Sequence, residues 1–113
     1  MRIYENSERP EQAMLISVDT GDFDAEVSID ELEELARTAG AEVVAKVIQK
    51  KERPEASIYV GKGKLSEIIA FIQSNDVDLL IFDCELTPSQ QRNLETLTRV
   101  RVIDRTTLIL DIF

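Results

Sequence analysis

The period of the hydrophobic positions changes several times along the chain, and each change marks an element. Residues 11–19, "EQAMLISVD", hold a nearly continuous apolar run, the mark of a strand covered on both faces. "TGDFDAEV" reads as a polar connection. In "SIDELEELARTAG", Ile29, Leu32, Leu35, Ala36 and Ala39 recur at the three-to-four spacing of one helix face. Ser28, with Glu31 three residues later, predicts a capping box at the start, and Gly40 predicts the stop. A valine-rich strand follows over 41–50. "KERPEASIYVGKG" is a long connection broken by Pro54.

The second half repeats the alternation. "KLSEIIAFIQSND" places Leu65, Ile68, Ile69 and Ile72 on one helix side, and "VDLLIFD" (77–83) is a short central strand. "TPSQQRNLETLT" carries the strongest start signals: Thr87 at the cap, Pro88 at the first helical position and Gln90 at the third. "VRVID" (100–104) is a fourth strand. "RTTLILDIF" starts a last helix whose Leu108, Ile109, Ile112 and Phe113 form an apolar face. That apolar end reads as the first domain of a longer protein. The order predicts an α/β fold: a four-stranded parallel sheet, order 2-1-3-4, with helices on both faces and right-handed crossovers. The long connection is expected to pass the sheet edge without adding a fifth strand.

Composition narrows the chemistry. At 113 residues the chain is one domain, and 43% apolar content supplies a core. With a single cysteine, Cys84, no internal disulfide forms, which fits a reducing compartment. The first residues lack the apolar core of a signal peptide, and no apolar run would span a bilayer, so the expectation is cytoplasmic. Histidine is absent, which removes Ser–His and Cys–His catalysis and leaves no donor set for structural zinc. Net charge is −9, but residues 1–42 hold twelve acids against three bases, while 43–113 hold ten of each. Lys46, Lys50, Lys51, Arg53, Lys62 and Lys64 crowd into 46–64 against Glu52 and Glu55. Such a balance argues against general nucleic-acid coating and allows one polyanion-facing loop. The plain alternative is a solvated basic surface.

"YVGKGKLSEI" (59–68) poses the sharpest question, because glycines and lysines at a helix start are the raw material of a phosphate cradle. The Walker spacing G-x-x-x-x-G-K-[ST] is not met, and Ser66 stands where a dinucleotide fingerprint needs its third glycine. Asp83 and Glu85 fall after a strand, where α/β sheets place sites; loop and helix capping is their simplest role, magnesium binding the other. Cys84 reads as a buried, inert thiol, and Asp104-Arg105 as a salt bridge or a helix cap.

"YVGKGKLSEI", "FDCELTPSQQRNLE" and "RVIDRTTLILDIF" together resemble, in order and spacing, the N-terminal domain of the HflX family of ribosome-associated GTPases. With the opening strand the resemblance covers essentially all of 1–113. The family pattern usually reads Arg-Thr-Gly where this chain has Arg105-Thr106-Thr107, and position 84 is commonly polar or acidic. The resemblance implies that the full protein continues into a helical hairpin and a G domain that holds GTP and magnesium. No cofactor is expected on this segment, which would not itself be an enzyme although the whole protein is a GTPase. It also implies binding to the large ribosomal subunit and its RNA, in ribosome splitting, recycling or stress response, and contact with the protein's own G domain. Lys50, Lys51, Arg53, Lys62 and Lys64 are then the expected phosphate contacts, with Gly61 and Gly63 shaping the loop and Arg92, Arg99 and Arg105 as further contacts. The alternative is an adenine-nucleotide-binding or hydrolysing domain that uses the same Gly-Lys loop, with Asp83 or Glu85 on magnesium. A third reading is a module that restrains the G domain.

Overall fold

The computed structural model describes residues 9–112. Residues 1–8, on which the expectation of no signal peptide rests, and Phe113 lie outside the described residues. The elements are β1 (Gln12–Asp19), α1 (Ala25–Thr38), β2 (Glu42–Lys50), α2 (Lys62–Asn75), β3 (Leu79–Phe82), α3 (Pro88–Thr98), β4 (Arg101–Asp104) and α4 (Arg105–Ile112). The sheet is wholly parallel in the order β2-β1-β3-β4, as the alternation predicts. Every residue of β3, and Ala13 to Val18 of β1, is buried, which is why these two strands read as unbroken apolar runs.

Alternate side chains go to opposite faces and build two cores. Met14, Ile16, Leu80, Phe82 and Val102 meet Leu65, Ile68 and Ile72 of α2 and Leu94 of α3. On the other face Ala13, Leu15, Ile81 and Ile103 meet Ile29, Leu32 and Ala36 of α1 and Leu108 of α4. Each such side chain, fully buried, contributes about 1.5–3 kcal/mol of transfer free energy.

Local signals explain most helix ends. Thr87 and Gln90 close a reciprocal capping box, with Thr87 N–H donating to Gln90 Oε1 (3.0 Å) and Gln90 N–H to Thr87 Oγ1 (3.1 Å). Gly40, at φ 94°, ends α1 with paired bonds, its own N–H to the Arg37 carbonyl and that of Ala41 to Ala36. The start of α1 differs from the expected Ser28–Glu31 box. Asp24 is the cap, accepting from Val27 N–H at 3.1 Å, so the helix begins three residues before Ser28 and Ala25 is buried in its first turn. Asp24 is as good a cap as Ser28, and its carboxylate also suits the positive end of the helix. The start of α2 moves too: Lys62 and Gly63, expected in the connection, lie in its first turn.

Two features complete the sheet. No fifth strand forms among the described residues, yet the 51–61 connection does more than pass the edge. Its Ile58 and Val60 are buried in the α2/α3 core, and Tyr59 sets its ring edge-on to Phe82 at 5.8 Å. Holding an aromatic residue at φ 67° costs on the order of 1–2 kcal/mol, offset by this burial. Two side chains of α3 pin the same segment, Gln90 Nε2 to the Glu55 carbonyl and Asn93 Nδ2 to that of Ser57, both at 2.9 Å. Further along, α3 blocks the outer edge of β4: Val102 N–H donates to Glu95 Oε2 (3.1 Å), and its carbonyl accepts from Gln91 Nε2 (2.8 Å).

Gln90 thus serves both the cap and the connection. Gln90→Ala is expected to destabilise the chain by about 1–3 kcal/mol. Urea unfolding measures this, and a loss below about 0.5 kcal/mol would show that the connection is held without it.

Candidate functional site

The sequence-predicted residues divide between the two ends of the sheet. Parallel strands bring Lys50, the last residue of β2, level with Asp19 at the end of β1, and the loops after β1 and β3 leave from that same end. β1 and β3 are neighbours whose following helices lie on opposite faces, so a topological switch point falls between them.

On the outer side of this end the cations converge. Lys51 Nζ reaches Glu55 Oε1 at 2.9 Å. The Glu55 carboxyl is held below its ordinary value, chiefly by that hydrogen bond and the Lys51 charge, with Arg53 and Lys62 adding to it. Lys50 and Lys51 line a shallow groove with Asp19, Thr20 and Gly21, and a second one with residues 52–56. Lys50, Arg53 and Lys62 make no direct ion pair among the described residues. Lys64 turns back to Glu67 at 3.4 Å. Lys46, one of the crowded bases, faces the other way: Asp30 and Glu33 of α1 hold it at 2.9 Å each, and these bonds raise its pKa.

The glycines are used differently from a cradle. The Gly61 N–H donates to Gln49 Oε1 at 2.9 Å, and a Cβ at this position would stand 3.2 Å from Gln49 Nε2. A side chain of β2 therefore takes the amide that an anion would need, and Gly61 is small to let it in. Gly63 sits in helical backbone with open space around it.

The inner side is a polar cluster around one buried carboxylate. Asp83, whose side chain is 1% exposed, takes Arg105 Nη1 at 3.0 Å. The same guanidinium donates to the Ser28 carbonyl (3.2 Å) and Oγ (3.1 Å), and to Glu31 Oε1 (3.2 Å). Arg105 thus spends both terminal nitrogens on partners within the chain. Asp104 accepts from Leu86 N–H at 2.8 Å and from Thr107 N–H at 2.9 Å, capping α4. Both readings of Asp104-Arg105 apply, one to each residue. Asp83 is a buried ion-pair partner and not a helix cap. No group of three metal-ligating side chains gathers among the described residues.

The remaining candidates lie elsewhere. Arg99, in left-handed backbone at the end of α3, sits beside the N-terminal end of β4 and so at the opposite end of the sheet from Lys50. Arg92, on α3, shares a groove with Lys62. Cys84 is half-buried beside Tyr59, and burial pushes its thiol up to about 12. Gln49, which decides the role of Gly61, went unread in the sequence because its partner lies twelve residues away across a loop.

Fold and site together define a parallel α/β module with cations gathered outside one strand end and carboxylates neutralised within it. The chain belongs to the family described as GTP-binding GTPase N-terminal, whose model matches residues 26–113. It is 49% identical over 112 residues to the GTPase HflX of Lacrimispora saccharolytica, covering 98% of this chain and 26% of that protein. With the GTPase HflX of Escherichia coli the identity is 38% over 112 residues, with the same coverage. The chain thus spans about a quarter of these relatives' length. Among solved structures, a GTP-binding protein from Sulfolobus solfataricus in complex with GDP superposes with a TM-score of 0.64 at 21% identity, over 90% of this chain and 30% of that one. The SsGBP and GDP complex gives 0.67 at 22%, over 90% and 28%. At that identity the likeness is one of fold.

Two measurements check the inner cluster. Arg105→Ala leaves the Asp83 carboxylate buried without its partner and is expected to cost about 2–4 kcal/mol in urea unfolding; a change within about 0.5 kcal/mol would mean that Asp83 is satisfied by other groups. The Cys84 thiol is neutral well above pH 8, so iodoacetamide at pH 8 should modify the native chain at least about 100-fold more slowly than the urea-unfolded one. Its folded pKa lies above the ordinary 9.0, so its contribution to stability is full below about pH 9 and is lost as pH rises towards about 12. Equal alkylation rates in the two states would contradict this account.

Proposed function

We propose that this chain is the N-terminal, ribosome-facing domain of an HflX-type GTPase, non-catalytic in itself. In the whole protein it is followed by a helical hairpin and a G domain, which carries GTP and magnesium and which this domain also contacts. The domain meets the RNA of the large ribosomal subunit through its basic strand end. Lys50, Lys51, Arg53 and Lys62 make the central phosphate contacts, Lys64 and Arg92 lie beside them, and Arg99 is a separate contact at the far end.

One observation carries the reading. The chain has 22 acids against 13 bases, so partners for cations are plentiful, yet Lys50, Arg53 and Lys62 stand without a direct ion pair at one end of the sheet. Unpaired cations held together on an acidic protein fit a polyanion that arrives from outside. The family relation supports the ribosome as its source. The adenine-nucleotide reading has less support, since Gln49 occupies the Gly61 amide and Asp83 is turned inward to Arg105. No described helix is long and apolar enough to cross a membrane.

Replacing Lys50, Lys51, Arg53 and Lys62 together with alanine in the whole protein should weaken binding to large ribosomal subunits. It should also flatten the slope of log affinity against log salt by about 3, since each lost phosphate contact removes roughly 0.7–0.9. Sedimentation binding at several salt concentrations, with circular dichroism of the variant, makes the measurement. An unchanged slope in a folded variant would reduce these residues to solvated surface. GTP hydrolysis by the isolated domain above a buffer blank would overturn the non-catalytic assignment.

A further inference from the structure

The two faces of the sheet are closed to different degrees. α1 and α4 pack against one another, but α2 and α3 do so much less. They leave a groove of about 630 Å³ between them. Its lining is largely apolar, with Ile58 and Leu65 at the floor and Ile69 and Leu97 on the walls. Leu97 is 50% exposed, one of four large apolar side chains more than 40% exposed among the described residues. Lys62 and Arg92 stand along the same groove, and neither makes a direct ion pair among the described residues.

We propose that this groove docks an acidic amphipathic helix of a partner protein, on an apolar surface that adjoins the RNA contact and shares Lys62 and Arg92 with it. An exposed apolar strip between two parallel helices takes the apolar face of a third, with anchors spaced i, i+3 or i+4 and i+7. The flanking cations select the charge. Lys62 and Arg92 go unpaired in a molecule with excess carboxylates, so glutamate or aspartate beside the anchors of the incoming helix supplies what the groove lacks. A nucleic acid fits less well, because no aromatic ring lines the groove to stack an unpaired base.

The test uses a designed 18-residue helix with leucines at the anchor positions and glutamates flanking them, beside a control with lysine in place of every glutamate. Each is titrated into the isotope-labelled chain and followed by amide chemical shifts. The expected result is saturable binding of the acidic helix, with shifts concentrated at Ile58, Leu65, Ile69 and Leu97. The lysine control should bind at least about tenfold more weakly. L97E should abolish binding in a chain whose circular dichroism is unchanged, and R92E should weaken it at least about tenfold, whereas K50E, outside the groove, should leave it intact. Equal binding of the two helices overturns the proposal, as do shifts that map away from the groove or an unaffected L97E chain. Groove shifts produced instead by a single-stranded RNA 12-mer would reassign the surface to nucleic acid. Failure here leaves the salt dependence of subunit binding untouched, since the groove experiment involves no ribosome.

Discussion

Two of the four strands end on buried carboxylates, Asp83 and Asp104, and the C-terminal end of the sheet is built around compensating them. A buried charge without a partner costs several kcal/mol, so each must be answered from within the fold. Asp83 is answered by Arg105, which reaches it from the first residue of α4 and fixes Ser28 and Glu31 of α1 on the way. Asp104 is answered by two backbone amides, one from the loop before α3 and one from α4. The positions of α1, α4 and the β3–α3 loop all follow from these two requirements. Leu108 seals the second core from a helix whose start is held by both Arg105 and Asp104.

That arrangement separates charge by sign. The carboxylates at the switch point are consumed internally, and the acids of α1 are partly taken by Lys46, Arg37 and Arg105. The 51–61 connection is tied down by its apolar residues and by α3, so its cations need not hold it. Arg53 is left to face solvent from a segment already packed into place. A flexible loop of the same composition would lose conformational entropy on meeting an anion; here much of that loss has already occurred on folding.

The sequence showed what depends on neighbours along the chain. Strand order followed from alternation, and the Thr87–Gln90 box and the Gly40 stop are satisfied within a few residues, so their signatures are local. The start of α1 was misread because Asp24 and Ser28 both satisfy the local pattern, and the choice between them lies in burial of Ala25 and in the demand of Arg105 for Ser28. Arg105 reads in the sequence both as a salt-bridge residue and as a phosphate contact, and nothing near it announces a partner 22 residues upstream. The convergence of Lys51, Arg53 and Lys62 around Glu55 was legible as a charge cluster. The closing of Gly61 by Gln49 was not, since it needs the path of the intervening loop.

The plugged edge of β4 bears on the order in which the chain assembles. Val102 has both outward backbone groups bonded to Glu95 and Gln91, only seven and eleven residues before it. A strand normally waits for distant partners, but this one has the outer backbone groups of Val102 satisfied by the helix that precedes it. The α3–β4 segment is therefore a short-range cooperative unit, able to form early and present a finished inner edge to β3. β2 is met by its preceding helix differently, through the side chain of Lys46 held by Asp30 and Glu33 of α1 and not through its backbone groups.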